Sequence, residues 1–67
     1  MMEKLEHKSD FYDKLCFFSG YFVSHVNLGD SVATLFYVDA TRRELLGKCL
    51  DYQNGTAEFY FSQGVKP

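Results

Sequence analysis

The chain has no Trp, a single Pro and only two Cys. Because the proline is the last residue, Pro67, no proline interrupts a helix or a strand. Two cysteines are too few for a scaffold held together by disulfides. These counts exclude a disulfide-rich domain and leave every segment free to form regular structure.

Long apolar runs are also missing. The longest nearly apolar stretch, residues 15–23, is interrupted by Ser19 and Gly20, and it is much shorter than the ~18 residues that suggest a membrane span. The first eight residues contain no apolar run, so they do not resemble a secretory signal. We therefore expect a cytoplasmic protein with reduced thiols and no membrane contact.

Length and charge narrow the class of protein further. With 67 residues, the chain is expected to form a single domain, 1–67, that buries only ~60% of the surface of its unfolded form, which excludes a two-domain enzyme. Seven Lys and Arg against nine Asp and Glu give a net charge of −2, without the basic surplus of a typical nucleic-acid binder. Residues 1–8 are rich in charge, and we expect them to be frayed.

What the chain has in abundance is aromatic side chains. Seven Phe and five Tyr bring the aromatic fraction to 18%, within a hydrophobic fraction of 46% that is typical of a globular protein. Such rings fill a small core, but Tyr and Phe are also enriched at the centres of protein interfaces. Both uses remain open at this point.

The N-terminal half predicts a helix followed by a hairpin. Ser9 is a suitable N-cap, and apolar side chains follow at helical spacing from Phe11 to Phe18, which predicts a helix over about residues 9–17. Residues 18–28 and 31–38 then alternate as strands. The turn between them contains Gly29, which is free to take a positive φ.

Residues 41–62 have two interpretations. Thr41 and Glu44 have the spacing of a capping box, which would begin a helix over 41–50 followed by a lone final strand. Asn54-Gly55 is a strong hairpin signal and favours strands over about 46–53 and 56–62, with at most one turn near 41–45. A two-residue turn would then put one apolar face together from Leu46, Leu50, Tyr52, Ala57, Phe59 and Phe61. We favour the hairpin.

The predicted fold class is therefore α+β and mainly β. We expect a short N-terminal helix packed on a curled four-stranded antiparallel sheet or small barrel. Many small proteins of unrelated function share this layout, so the fold alone assigns no function.

Residues that carry chemistry are sparse and poorly placed. Cys16, Cys49, His7 and His25 lack the close pairs of a zinc site, and no glycine-rich phosphate loop is present. The two-residue turn would place Cys49 on a wet face and Asp51 opposite Glu58, where water screens both carboxylates. We therefore predict no catalytic residues, no metal, no cofactor and no enzyme activity.

The first hairpin suggests a binding function because both of its faces are apolar. One predicted face carries Phe17, Tyr21, Val23, Leu35 and Tyr37, and the other carries Phe18, Phe22, Val26, Val32, Phe36 and Val38. One short helix is too small to cover what the sheet leaves open. We predict a small regulator, inhibitor or assembly subunit that binds a partner protein or itself, as a homodimer or larger homo-oligomer. The predicted contact residues are Phe11, Tyr12, Phe17, Tyr21, Val23, Leu35 and Tyr37.

The alternative function is binding of single-stranded nucleic acid by a small barrel. Arg42, Arg43 and Lys48 would contact phosphates, and Tyr60 would stack on a base. Against it, the acidic residues Asp39, Glu44, Asp51 and Glu58 lie close to these basic residues in the sequence.

Overall fold

The computed structural model describes all 67 residues. The elements in chain order are β1 (Met2–Leu5), α1 (Lys8–Leu15), β2 (Phe22–Asn27), β3 (Ser31–Tyr37), β4 (Leu45–Tyr52) and β5 (Ala57–Ser62). The strands form one antiparallel sheet in the order β1-β5-β4-β3-β2. The prediction of a mainly β fold with one short helix is confirmed, but the sheet has five strands rather than four, and β1 and β2 are its edges.

The N-terminus supplies the additional strand. Met2 lies opposite Ser62, and Leu5 lies opposite Phe59. The side chain of Leu5 packs against the core. The expectation that residues 1–8 are frayed was wrong because β5, more than fifty residues away in sequence, provides hydrogen-bond partners that no local pattern reveals.

Helix α1 is held by its apolar face. Phe11 and Leu15, four residues apart, are 0% and 1% exposed. Asp10 lies in the first turn and Lys14 in the last, where each charge complements the helix dipole. The N-cap is His7, which forms no side-chain cap, so the predicted cap at Ser9 was wrong by two positions.

The first hairpin forms as predicted, with a shorter first strand. Gly29 has φ 90° at the first central position of a two-residue turn, where a type II′ turn places glycine. This turn places Val23 opposite Phe36 and Phe22 opposite Tyr37. Strand β2 begins at Phe22 rather than at residue 18, because residues 16–21 carry the chain from α1 to the far edge of the sheet.

The second hairpin forms in a register different from the predicted one. Its loop has three residues: the amide of Gly55 donates to the carbonyl of Tyr52, and Gly55 has φ 90°. Cys49 therefore lies opposite Phe59, and Leu50 lies opposite Glu58. The shift by one residue moves one whole strand to the other face, so the predicted apolar face was wrong.

No helix forms between β3 and β4. The Asp39 carboxylate accepts hydrogen bonds from the Thr41 hydroxyl (2.8 Å) and the Arg43 amide (3.2 Å). Arg42 has φ 61°, in the left-handed region. The capping-box residues thus belong to a turn organised by Asp39, and the alternative helix over 41–50 was wrong.

The core lies between α1 and one face of the sheet. Phe11 is at its centre, with ring centroids 5.2 Å from Phe36, 5.6 Å from Phe59 and 6.2 Å from Phe61. Leu15, Leu46 and Cys49 complete the buried cluster. Each of these aromatic pairs adds roughly 0.5–1.5 kcal/mol to the hydrophobic burial of the rings.

Candidate interaction surface

The two faces of the sheet are covered unequally. Helix α1 lies mainly over β5 and β1 on one face, here called the helix face, and no helix lies on the opposite, open face. The hairpin at the far edge therefore receives little cover. In β2, only Ser24 is half-buried, and the other five residues are exposed.

Exposed apolar side chains concentrate in this hairpin. Six of the nine large apolar residues that are exposed fall between residues 21 and 32, and we call these six the hairpin surface: Tyr21, Phe22, Val23, Val26, Leu28 and Val32. Their exposed fractions range from 39% to 53%. Small proteins rarely expose so many neighbouring apolar side chains, and an exposed apolar patch of this kind is typical of an interaction site.

On the helix face, the hairpin surface meets the end of the core. Val23 is 44% exposed and lies opposite buried Phe36. The ring of Tyr21 packs edge-on against Phe36, with centroids 5.5 Å apart. Tyr12 continues the exposed surface from the helix side, and partial burial raises the pKa of its hydroxyl. The apolar surface is therefore continuous with the core.

On the open face, the same strands present a second apolar group. Phe22 is 51% exposed and Val26 is 39% exposed. Cross-strand pairing places Phe22 opposite Tyr37 and Ser24 opposite Leu35, and both partners in β3 are half-buried. Strand β2 is thus accessible on both of its faces.

The predicted contact residues do not share one surface. Tyr12, Phe17, Tyr21 and Val23 are exposed, whereas Phe11 has no exposed surface. Leu35 and Tyr37 lie on the open face, opposite to Val23. The predicted grouping of Val23 with both residues of β3 was wrong, because the two-residue turn pairs odd-numbered residues of β2 with even-numbered residues of β3.

Sequence reasoning left four members of the hairpin surface out of the predicted contact residues: Phe22, Val26, Leu28 and Val32. Phe22, Val26 and Val32 were placed on the opposite face, and Phe22 and Val26 now lie on the open face beside Tyr37 and Ala33. The signal that could have found this pairing was present: Gly29 and Asp30 as central turn residues fix the register of the hairpin.

The free edge of β2 carries unpaired backbone groups. The amide of Leu28 donates to the carbonyl of Ser31 (2.9 Å), so Asn27 and Val32 are a non-hydrogen-bonded pair. Pairs alternate along an antiparallel ladder, so the N–H and C=O groups of Val23, His25 and Asn27 point away from β3. None of these outward groups has a partner within the chain.

The other half of the open face is polar. The carboxylate of Glu58 accepts hydrogen bonds from Tyr52 (2.8 Å), Lys4 (3.2 Å) and Tyr60 (3.3 Å). The bonds from Tyr52 and Lys4 lower the pKa of Glu58. This network ties β1, β4 and β5 together and satisfies the polar groups there.

The residues of the nucleic-acid alternative are divided between two places. Lys48 and Tyr60 meet on the open face, with the Lys48 ammonium 5.1 Å from the ring centroid. Arg42 and Arg43 lie in the loop between β3 and β4. The Glu58 carboxylate, bonded to the Tyr60 hydroxyl, places a negative charge beside the ring that would stack on a base.

The groups considered for enzyme chemistry are also separated. Cys49 is buried rather than on a wet face, and burial together with the neighbouring Asp51 raises the pKa of its thiol to about 11. Asp51 lies opposite Ala57, whereas Glu58 lies opposite Leu50. The predicted carboxylate pair therefore does not form.

Pockets, metal-ligand clusters and membrane-spanning helices were not found. The surface has no pocket, and no three His, Cys, Asp or Glu side chains are grouped to hold a metal ion. Helix α1 is too short to cross a bilayer. No protein-family model, curated protein or solved structure matches this chain.

Proposed function

We propose that this chain is a small, non-enzymatic, cytoplasmic protein-interaction module that binds a protein through the hairpin surface. The observation that carries the proposal is the exposure of β2 on both faces, with Phe22, Val23 and Val26 each at least 39% exposed. A strand of this composition at a sheet edge is ordinarily covered by another part of the protein or by a partner.

The distribution of charge supports an apolar protein partner. Asp30 is the only Asp, Glu, Lys or Arg between residues 15 and 38. The segment therefore has no Lys or Arg to neutralise phosphates, the interaction that dominates the affinity for nucleic acid. This scarcity of charge matches the depletion of charged residues at the centres of protein interfaces.

The apolar area on the hairpin is large enough to matter. If a partner covers ~400 Å² of apolar surface, the gain is ~10 kcal/mol at about 25 cal/mol per Å². Association itself costs about 4–15 kcal/mol. The surface therefore supports a weak or moderate interaction by itself, and backbone hydrogen bonds at the free edge would strengthen it.

Site-specific photocrosslinking tests this proposal. A benzophenone amino acid replaces Phe22 or Val26 in the full chain, and the matched control carries it at Glu3 on the opposite sheet edge. Irradiation in cells of the native source is expected to give discrete protein adducts from the two hairpin positions and none from the control.

Two results would contradict the proposal. The first is equal crosslinking from the control and hairpin positions. The second is tight, salt-sensitive binding of single-stranded oligonucleotides that is lost when Arg42 and Arg43 are replaced by Gln, because the basic residues would then carry the function.

A further inference from the structure

We infer that the partner of the hairpin surface is a second copy of this chain, joined edge to edge along β2 with Ser24 on a twofold axis. The inference rests on the proposed function and names the occupant and geometry of that surface. The two five-stranded sheets would become one continuous antiparallel sheet of ten strands.

The backbone of β2 is unpaired along its outer side. Val23, His25 and Asn27 direct their N–H and C=O groups into solvent at the edge of β2. Only another extended segment can pair with such a row of alternating donors and acceptors. The occupant must therefore present a strand.

The two edge strands, β1 and β2, differ in how well they are protected from pairing with another strand. Strand β1 has only four residues and carries Glu3 and Lys4, features with which proteins protect an edge from pairing. Strand β2 has six residues, FVSHVN, with no Asp, Glu, Lys, Arg, Pro or Gly and no bulge. The sheet is thus protected at one edge and available at the other.

Strand β2 is complementary to a second copy of itself. In a dimer with a twofold axis perpendicular to the sheet, the same face of both copies points to the same side. Directly opposite side chains then share a face, so the two residue numbers of each pair must be both odd or both even. With Ser24 on the axis, Val23 and His25 exchange backbone hydrogen bonds with His25 and Val23 of the second copy. The same register places Phe22 opposite Val26 of the second copy on the open face, an aromatic and β-branched pair that stabilises sheets.

A neighbouring register is less complementary. With His25 on the axis, the two imidazoles would face each other, and Val26 would face Ser24. Phe22 would face Leu28, which lies beyond the end of β2. With Ser24 on the axis, exposed Phe22 of each copy instead faces exposed Val26 of the other copy, and all four residues lie within β2.

The area limits the expected affinity. Covering ~400 Å² on each copy gives an interface below the roughly 1,200–2,000 Å² of a stable complex. We therefore expect a concentration-dependent dimer with a Kd of about 10–100 µM rather than a permanent one. Sedimentation equilibrium of the purified full chain should show the mass rising from 7.8 kDa towards twice that value.

A disulfide across the axis tests the register. In the proposed register, Ser24 and Ser24 of the second copy form a non-hydrogen-bonded pair. The Cα atoms of such a pair are ~4.5 Å apart, within the range of a disulfide. In a Cys16→Ser background, Ser24→Cys is expected to give covalent dimers with oxidised glutathione under native conditions. The matched variants Val26→Cys and His25→Cys are expected to remain monomeric on a non-reducing gel.

A charge exchange provides a test independent of cysteine. Val26→Glu and Phe22→Lys are each expected to weaken dimerisation about tenfold or more, because two unpaired charges enter the interface. In the double variant, each introduced lysine faces an introduced glutamate of the other copy, so dimerisation should recover. Within one chain the two positions are four residues apart along a strand, ~13 Å, too far to form a pair.

The outcomes separate this inference from the proposed function. A strictly monomeric chain at millimolar concentration would overturn the dimer, as would a double variant that shows no recovery. Crosslinking through His25→Cys instead of Ser24→Cys would overturn the register. If the photocrosslinked adducts contain a different protein while the purified chain stays monomeric, the interaction function stands and the self-pairing is wrong.

Discussion

The ring of Phe11 packs directly on the backbone of Gly47. A Cβ atom added at Gly47 would lie 2.8 Å from Cε1 of Phe11 and 2.5 Å from the carbonyl oxygen of Tyr60. The absence of a side chain in β4 therefore lets the helix approach the sheet. This contact connects α1 to β4, the central strand of the sheet.

Gly47→Ala should destabilise the fold. The added methyl group cannot be accommodated without moving α1 or β5, which costs about 1–3 kcal/mol. Urea denaturation followed by circular dichroism measures the change. Gly20→Ala is the matched control, because its Cβ meets nothing within 4 Å, and it should stay within about 0.5 kcal/mol of the parent. Equal effects at both positions would contradict the packing described.

Phe11→Ala should unfold most of the protein. Removing a fully buried Phe costs about 3–5 kcal/mol, which is comparable to the whole stability expected of a small domain. Loss of dispersion in the amide NMR spectrum reports the unfolding. Phe17→Ala, at a ring that is 73% exposed, should leave the spectrum dispersed, and a folded Phe11→Ala variant would show that the core lies elsewhere.

Local patterns predicted the first hairpin and the helix because both depend on residues close in sequence. Phe11 and Leu15 define the buried helical face, and Gly29 defines the turn. Strand β1 was missed because its only partner is β5. Pairing between the two ends of a chain leaves no periodic signal that distinguishes it from a charged tail.

The second hairpin shows that one additional loop residue changes which side chains share a face of the sheet. Asn54-Gly55 suits a two-residue turn as well as a three-residue loop in which glycine takes the left-handed position. The side chain of Asn54 accepts bonds from the amide and hydroxyl of Thr56, which favours the longer loop. The predicted contact residues contain a related error: exposed apolar side chains do concentrate in the first hairpin, but their division between the two faces differs from the prediction.

The hydrogen bonds to Glu58 should make stability dependent on acid. Because the folded-state pKa of Glu58 lies below its ordinary value, the stabilisation is present above the ordinary pKa and is lost as pH falls through the folded-state value. Glu58→Gln should therefore lower the urea midpoint at neutral pH, and the difference from the parent should shrink below about pH 4.

Tyr52→Phe provides the matched variant for this acid dependence. It removes the strongest hydrogen bond to the carboxylate, so the loss of stability between neutral and acidic pH should be smaller than in the parent. A parent protein and a Glu58→Gln variant with identical pH profiles would show that the network contributes nothing to folding.

The two cysteines should differ sharply in reactivity. Cys16 is exposed, whereas Cys49 is buried and its thiol has a pKa of about 11, so Cys49 is protonated at neutral pH. One maleimide per native chain is expected by mass spectrometry, and two after unfolding in guanidinium. Cys16→Ser should abolish native labelling. Rapid labelling of that variant without denaturant would contradict the burial of Cys49.

Hydrogen exchange along β2 should reveal both its pairing with β3 and its free edge. The amides of Ser24 and Val26 point towards β3, whereas those of Val23 and His25 point into solvent. In dilute samples, NMR should therefore show slow exchange at the amides of Ser24 and Val26 and fast exchange at those of Val23 and His25.

Raising the concentration into the millimolar range should slow exchange at Val23 and His25, because self-pairing supplies acceptors for their N–H groups. Val26→Glu, which prevents this pairing, should keep the alternation at every concentration. Uniformly fast exchange along β2 at all concentrations would mean that the hairpin itself opens readily, and β2 would then be too mobile to serve as a template for a second strand.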